Sequence, residues 1–315
     1  MSVMALYDLC IVGGGSIGSI MAYYGFRGGL ENIVVYYGSR RSVEEVSRHG
    51  GITVSLDRDD YFVPVIPMHY TSPMGKCRFI LNCVKAYQVP NTHLLTRYLM
   101  DSSTRIVYMQ NGFGSCEEGY RLFGHHAACG VVFIGALRTS PSHVIHMGGN
   151  TVYLGSLWGF DEALLELSTW MNRGDGDFRV VGGIEKYRWI KLAVNAVINP
   201  LTAIARARNS SILGKWGRIL AEKIITEVVE AASRKGVILD KERLLRLVLR
   251  AAENTRDNYS SMAMDILSRR RTEVDYINGY IAGILGENSI NYFLTSLIHF
   301  IEESKSGHTY NTFRQ

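Results

Sequence analysis

Leu6-Tyr7-Asp8-Leu9-Cys10-Ile11-Val12-Gly13-Gly14-Gly15-Ser16-Ile17-Gly18 is the stretch on which the fold class turns. Leu6 to Val12 is a short apolar run, the pattern of a buried strand. It ends in Gly13-x-Gly15-x-x-Gly18, and Ile17 to Phe26 then reads as a helix. Gly28-Gly29 stops that helix, and Asn32 to Tyr37 reads as a second strand. Strand, turn, helix and strand in this order make the opening unit of a parallel α/β sheet. In this setting the glycines allow a tight turn and a close approach of backbone to a pyrophosphate. The helix start offers unpaired N–H groups and the positive end of its dipole. The reading is therefore a dinucleotide-binding turn with Gly13, Gly14, Gly15, Ser16, Ile17 and Gly18 around the cofactor. The alternative is a purely structural glycine turn.

The end of the second strand bears on which dinucleotide is bound. An acid there would accept from a ribose 2′-hydroxyl, but Val35-Tyr36-Tyr37-Gly38-Ser39-Arg40-Arg41 carries none. A hydroxyl and two guanidiniums suit a 2′-phosphate, so Arg40 points to NADPH, with NADH the other possibility. Arg40 and Arg41 also suit a solvated helix start paired to Glu44 and Glu45 at i+4. Val84-Lys85-Ala86-Tyr87-Gln88 and Gln110-Asn111-Gly112 each follow an apolar run. Ligands of doubly wound sheets bind outside the carboxyl ends of strands, which makes Lys85 and Asn111 candidates.

Further short apolar runs occur at Phe79 to Val84, Ile106 to Met109 and Cys129 to Ile134. Val144 to Met147 and Thr151 to Leu154, separated by Gly148-Gly149-Asn150, read as a hairpin. After Gly182-Gly183 the pattern becomes helical: Ile184 to Ala205, Ile219 to Lys235, Lys241 to Ala252, Met262 to Leu267, Thr272 to Leu285 and Asn288 to Glu303. The expected architecture is α/β: an N-terminal Rossmann-type dinucleotide-binding domain over 1–182 and a C-terminal all-helical domain over 183–315, for substrate binding and dimerisation.

With 315 residues, 47% hydrophobic and 20% charged, the composition is that of an ordinary globular protein large enough for two cores. The net charge of +5 is spread along the chain, so no nucleic-acid surface is expected. No apolar run reaches membrane-spanning length, and the N-terminal apolar stretch has no basic segment before it; the expected location is cytoplasmic. The five cysteines lack CxxC spacing. They suggest neither zinc nor a disulfide framework, and free thiols are the expectation. Cys83, near Lys85, is a reactive thiol or, more simply, a buried strand cysteine. His125-His126 does not make a metal site.

The helical half contains Trp189-Ile190-Lys191-Leu192-Ala193-Val194-Asn195-Ala196-Val197-Ile198-Asn199-Pro200. Lys191, Asn195 and Asn199 stand at i, i+4 and i+8, one polar stripe on an apolar rod. A buried ammonium and buried amides are costly unless satisfied, and a small anionic, hydrogen-bonding ligand would satisfy them. The bland alternatives are a lysine that snorkels to solvent and asparagines that cap neighbouring helices. Pro200 cannot donate to the carbonyl of Ala196, so a kink that opens space for ligand is expected there. Glu273 and Asp275 suit either a site or i+4 pairs with Arg269 and Arg271, and Ser260 or Ser261 suits a helix cap.

Together these motifs resemble the ketopantoate reductases. The matching stretches are Gly13-x-Gly15-x-x-Gly18, Val84 to Gln88, Asn111-Gly112, Lys191 to Ala203, Asn258-Tyr259-Ser260-Ser261-Met262 and Thr272 to Gly279. The resemblance spans almost the whole chain. It implies NADPH-dependent reduction of a small-molecule 2-keto acid, ketopantoate, to pantoate. It implies Lys191 as proton donor with Glu273 as its catalytic companion. It implies substrate contacts from Asn111, Asn195, Asn199, Asn209, Asn258 and Ser261, and cofactor contacts from Lys85, Asn111, Leu137 and Glu273. Ile134 to Arg138 matches only loosely the family's segment bordering the nicotinamide. Another branched 2-keto acid, or a dinucleotide-binding sensor without turnover, is the competing reading; a homodimer through apolar helix faces is compatible with all three.

Overall fold

The computed structural model describes residues 6–305. The chain divides into two compact units. One runs to Gln110 and resumes over Gly114–Ile184; the other comprises Asn111–Phe113 and the chain from Glu185. That Asn111–Phe113 belongs with the helical unit is a structural finding with no counterpart in the sequence patterns.

The first unit is built from β1 (Leu6–Val12), α1 (Ser16–Arg27), β2 (Ile33–Tyr37), α2 (Arg40–His49), β3 (Gly51–Leu56), β4 (Asp59–Pro64) and β5 (Ile66–His69). It continues with β6 (Lys76–Asn82), α3 (His93–Leu99), β7 (Arg105–Tyr108), α4 (Ser115–Phe123), β8 (Ala127–Ser140), β9 (His143–Gly155), α5 (Ala163–Arg173) and β10 (Asp177–Val180). All ten strands form one sheet, ordered β4-β3-β9-β8-β7-β6-β1-β2-β5, with β10 added beside β9. The run from its β5 edge, β5-β2-β1-β6-β7-β8, is parallel throughout. A parallel sheet is covered on both faces, which is why β2 and the second half of β1, Leu9 to Val12, read as unbroken apolar runs. Leu9, Cys10, Ile11 and Val12 are fully buried.

Two expectations need correction here. Gly148-Gly149-Asn150 is not a hairpin turn: β9 runs through it, and the turn to β8 lies at residues 141 and 142. The positive φ of Gly148 and Gly149 instead accompanies register shifts between Phe133 and Ala136, an irregularity inside the ladder. The cysteines are not all free thiols. Cys10 on β1 is bonded to Cys77 on β6, and Cys116 on α4 to Cys129 on β8; Cys83 alone is free among the described residues. The spacing could not reveal these pairs: the sheet brings Cys10 and Cys77 together from neighbouring strands, and Cys116 meets Cys129 where α4 packs on β8. Spanning 67 and 13 residues, the two bonds restrict the unfolded chain by about 4 and 3 kcal/mol on a chain-entropy reckoning.

The second unit holds α6 (Ile184–Ala205), α7 (Lys215–Arg234), α8 (Lys241–Asn254), α9 (Ser261–Leu267), α10 (Asn278–Leu285) and α11 (Ile290–Lys305). Its core gathers Leu192, Ala193, Ala196 and Val197 of α6 with Ile224, Ile225 and Val228 of α7 and Ile298 of α11. The helix expected over Thr272 to Leu285 is divided. A 3₁₀ turn at Val274–Tyr276 is separated from α10 by Ile277, whose φ of −108° and ψ of −89° lie outside the helical region. Among the described residues no helix is long and apolar enough to cross a membrane.

The disulfide assignment makes a direct prediction. Denatured without reductant, the protein should present one titratable thiol, Cys83, and after reduction all five. Five thiols before reduction would contradict the bonded pairs.

Candidate active site

The site of the helical unit is assembled by an insertion of three residues. Phe113 is buried against Tyr280, with ring centroids 4.5 Å apart and planes 8° apart, and against Trp189 at 5.0 Å. The Arg188 guanidinium lies 4.0 Å from the Phe113 ring centroid, and the Phe113 N–H donates to the Tyr276 carbonyl at 3.0 Å. Gly112 has φ +80°, and a Cβ there would stand 2.0 Å from the Tyr276 carbonyl oxygen. Glycine is therefore obligatory at 112 on two grounds, conformation and space.

This anchoring delivers Asn111 to helix α6. The Asn195 Nδ2 donates to Asn111 Oδ1 at 3.1 Å, and the Asn111 Nδ2 donates to Glu273 Oε2 at 3.2 Å. Asn195 and Glu273 are both buried, at 7% and 5% exposure. Three residues singled out separately in the sequence thus form one hydrogen-bonded chain. Asp275 takes the bland part: it pairs with Arg271 at 3.2 Å and with His299 at 2.7 Å.

Lys191 lies one turn before Asn195 on α6 and is only partly exposed. Burial disfavours its charged form and brings its pKa down to about 8. A lysine of this kind is protonated at neutral pH yet able to release its proton near that range, the property required of a general acid.

Asn199, one turn beyond Asn195, is 5% exposed. The helix continues through Pro200 to Ala205 without interruption. Thr202 donates to the Ser260 Oγ at 2.7 Å, and Ser260 accepts the Ala263 N–H at 3.1 Å. Ser260 is thus the N-cap of α9, which leaves Ser261 exposed at the first position of that helix. Asn209 donates its backbone N–H to the Asn258 carbonyl at 2.9 Å and its Nδ2 to Thr255 at 2.9 Å. The Asn209 Oδ1 is buried and has no hydrogen-bond partner among the described residues. Asn209, Asn258 and Ser260 therefore cluster, and Thr202 ties that cluster to α6.

Apart from Asn111 and Glu273, the cofactor candidates lie in the first unit. Gly13 has φ +107°, and a Cβ there would press on Val84 at 2.8 Å, so the Lys85 loop abuts the glycine turn. A Cβ on Gly14 would strike the Tyr37 ring at 2.0 Å, and one on Gly18 would strike the Gly13 carbonyl at 2.1 Å, whereas Gly15 faces open space. Helix α1 starts at Ser16 with no side-chain cap and no acid in its first turn. Ile17 follows in the same turn, packed against the sheet core. The Gly13 and Gly14 N–H groups donate to the Tyr36 carbonyl, at 3.0 and 3.3 Å, so the uncapped N–H groups at the start of α1 are the ones that fit a dinucleotide phosphate. Arg40 begins α2, is exposed, and makes no ion pair among the described residues. Lys85 caps the 3₁₀ turn Ala86–Thr92, with its N–H on Gln88 at 3.3 Å. Gln110 links this loop to the end of β7, donating to Asn82 and to Val84 at 3.0 Å.

Leu137 pairs with Ile145 within the β8–β9 ladder. Its neighbour Arg138, which the sequence reading passed over, reaches the turn. Arg138 donates its N–H to Ser16 Oγ at 3.1 Å and its Nη1 to the Gly14 carbonyl at 3.0 Å. Only the strand pairing reveals this approach. The anchoring residues Phe113, Arg188 and Tyr280 were also unread, because apolar periodicity does not distinguish a clamp from a core. Burial raises the Cys83 thiol far above its usual range, which argues against a reactive thiol there. Among the described residues no group of three His, Cys, Asp or Glu side chains is arranged to hold a metal.

Two outcomes follow from this geometry. The folded Lys191 pKa lies below its unfolded value of 10.5, so its charge penalises the fold below pH 8 and the penalty is relieved as pH rises to 10.5. Lys191→Met should therefore be more stable than the parent at pH 7 in denaturant melts, by up to about 3 kcal/mol, with the difference vanishing near pH 10.5. Equal differences at both pH values would count against a desolvated ammonium. Gly112→Ala should lose about 2–3 kcal/mol through backbone strain; an unchanged denaturation midpoint would contradict the insertion geometry.

Comparison with known proteins matches two family descriptions in succession along the chain. The family description "Ketopantoate reductase PanE/ApbA" matches residues 9–159, and "Ketopantoate reductase PanE/ApbA C terminal" matches 183–299. The 2-dehydropantoate 2-reductase of Pyrobaculum aerophilum is 36% identical over 176 residues, 56% of this chain and 60% of that one. The chain thus spans somewhat under two thirds of that relative's length in the match. The corresponding Archaeoglobus fulgidus protein is 31% identical over 229 residues, 70% of this chain and 74% of its own. A D-mandelate dehydrogenase structure with NADH and anilino(oxo)acetate has a TM-score of 0.87 at 21% identity, covering 94% of this chain and 99% of that one, a likeness of fold. With both family descriptions matched in order and a relative of this identity covered over most of its length, the chain belongs to the ketopantoate reductase family.

Proposed function

We propose that this protein reduces ketopantoate (2-dehydropantoate) to pantoate with NADPH, in the route to pantothenate and coenzyme A. The observation that carries the proposal is the partly buried Lys191 ammonium, with a pKa of about 8, one turn from an asparagine tied through Asn111 to the buried Glu273. Reduction of a ketone leaves negative charge on oxygen, and that oxygen needs a positioned acid.

Gly13 to Gly18, Arg40, Lys85, Leu137 and Arg138 would hold the dinucleotide, Gly13 and Gly14 by leaving room for a close approach, the N–H groups at the start of α1 by donating to phosphate, and the arginines by charge. When bound, the dihydronicotinamide supplies a hydride to the keto carbon. Lys191 Nζ gives its proton to the resulting alkoxide oxygen and is reprotonated from solvent. Asn195, Asn199, Asn209, Asn258 and Ser261 offer amides and a hydroxyl to the carboxylate and hydroxyl of the substrate. Asn111 and Glu273 orient this set through the bonds that tie them to Asn195. These groups recognise the polar end of a 2-keto acid, so the apolar substituent is left to be established by assay. The reaction is proposed to run in the cytoplasm, where the reduced dinucleotide pool resides; burial of Cys10, Cys77, Cys116 and Cys129 protects their bonds there. A homodimer through the outer face of α11, where Phe293 and Phe300 are exposed, completes the proposal.

Oxidation of NADPH should be measured with ketopantoate, other branched 2-keto acids and an aryl 2-keto acid. Ketopantoate should give the highest kcat/KM, and Lys191→Ala should lower kcat about 100-fold or more. Preference for another keto acid would move the substrate assignment, and near-normal turnover of Lys191→Ala would remove the proposed acid. In the same assay Arg40→Ala should raise KM for NADPH and leave that for NADH unchanged; equal effects on both would exclude a 2′-phosphate contact.

A further inference from the structure

Pro200 leaves a gap in the hydrogen bonding of α6. Without an N–H it cannot serve the Ala196 carbonyl, one turn earlier. Ala196 is fully buried, so bulk water does not serve it either. The missing donor comes from another element: Asn278, the first residue of α10, donates its Nδ2 to the Ala196 oxygen at 3.0 Å.

The direction of this amide is set by a chain of partners. Glu227 of α7 accepts the Ile290 N–H at 2.7 Å and the Asn291 N–H at 3.1 Å, both at the start of α11. It also accepts from the Asn291 Nδ2 at 2.7 Å. With its amino group turned to the carboxylate, Asn291 presents Oδ1 to the other hydrogen of the Asn278 Nδ2, at 2.9 Å. Asn278 and Asn291 are both fully buried. A reversed Asn278 amide would set oxygen against two acceptors, so only one orientation is compatible with the chain.

The anchored carbonyl is that of the residue after Asn195. Asn278 is also five residues from Glu273 on the segment interrupted at Ile277. That segment therefore meets α6 twice: Glu273 through Asn111 and Asn195, and Asn278 at Ala196. We propose that Asn278 is a positioning residue of the reaction, supplying the donor that Pro200 lacks and thereby fixing the Lys191–Asn195 face of α6 against Glu273. This rests on the reading of Lys191 as the proton donor.

The test compares wild type, Asn278→Ala, Asn278→Asp, Pro200→Ala and the double variant Asn278→Ala/Pro200→Ala. Aspartate keeps the shape of Asn278 without its donor; alanine at 200 restores a backbone N–H to the Ala196 carbonyl. Turnover of the preferred 2-keto acid is read well below each melting temperature, together with the Kd for NADPH. Both Asn278 variants should lose at least about tenfold in kcat with the NADPH Kd unchanged, and Pro200→Ala should restore most of that loss in the double variant. Asp240→Ala, which removes the N-cap of α8, calibrates stability: it should lower Tm without lowering kcat.

A purely structural Asn278 would behave like Asp240, and kcat within twofold of wild type in Asn278→Ala would overturn the proposal. So would a loss that Pro200→Ala does not relieve. If the single variants do not fold, a folded double variant with near-wild-type kcat supports the proposal, and an inactive or unfolded one contradicts it. Absence of turnover in the wild type would instead overturn the functional reading itself, and this role with it.

Discussion

The site depends on one amide. Asn111 accepts from Asn195 and donates to Glu273, so it gives a helix and a distant loop a common point of attachment. An asparagine amide can bridge in this way because it has both a donor and an acceptor edge, whereas a carboxylate only accepts. Everything around Asn111 serves to hold it. Gly112 bends where a side chain would collide with a carbonyl, and Phe113 is locked among Tyr280, Trp189 and Arg188. A three-residue excursion of the chain is thereby as firmly placed as the helices it meets.

Against that fixed frame, the chemistry proposed for Lys191 follows from burial. Desolvation lowers the pKa of an ammonium, and the same desolvation makes the residue a liability to folding. The helix carrying it is also weakened at Pro200 by a missing donor, which Asn278 replaces from a neighbouring element. These two departures from ideal helix design occur within ten residues of one another. Local rules are commonly broken where function is concentrated, and compensated by the surroundings.

Much of this was legible in the sequence. The glycine turn declared its strand–turn–helix setting, and the bounds of α6, Ile184 to Ala205, followed from uninterrupted apolar periodicity. The stripe of Lys191, Asn195 and Asn199 was visible because polar residues on an apolar rod contrast with their neighbours. What stayed hidden was long-range. The strands from Gly51 to His69 carry polar residues among their apolar ones and lack the unbroken apolar run of β2. The break at Ile277 carries neither glycine nor proline. Arg138 meets the glycine turn, and Cys10 meets Cys77, only because the sheet brings them together. Asn111 was recognised as a site residue, but its partners were not, since two amides and a carboxylate spread over 162 positions leave no periodic trace.

The central claim is that Lys191 delivers the proton as the keto group is reduced. The most direct measurement is the single-turnover rate of ketopantoate reduction as a function of pH, with the cofactor saturating. The account predicts a rate that is level below pH 8 and then falls tenfold per pH unit as the Lys191 ammonium is lost, with this limb absent from the residual rate of Lys191→Ala. A rate that stays level from pH 7 to 10 in the wild type, or the same descending limb in Lys191→Ala, would contradict it.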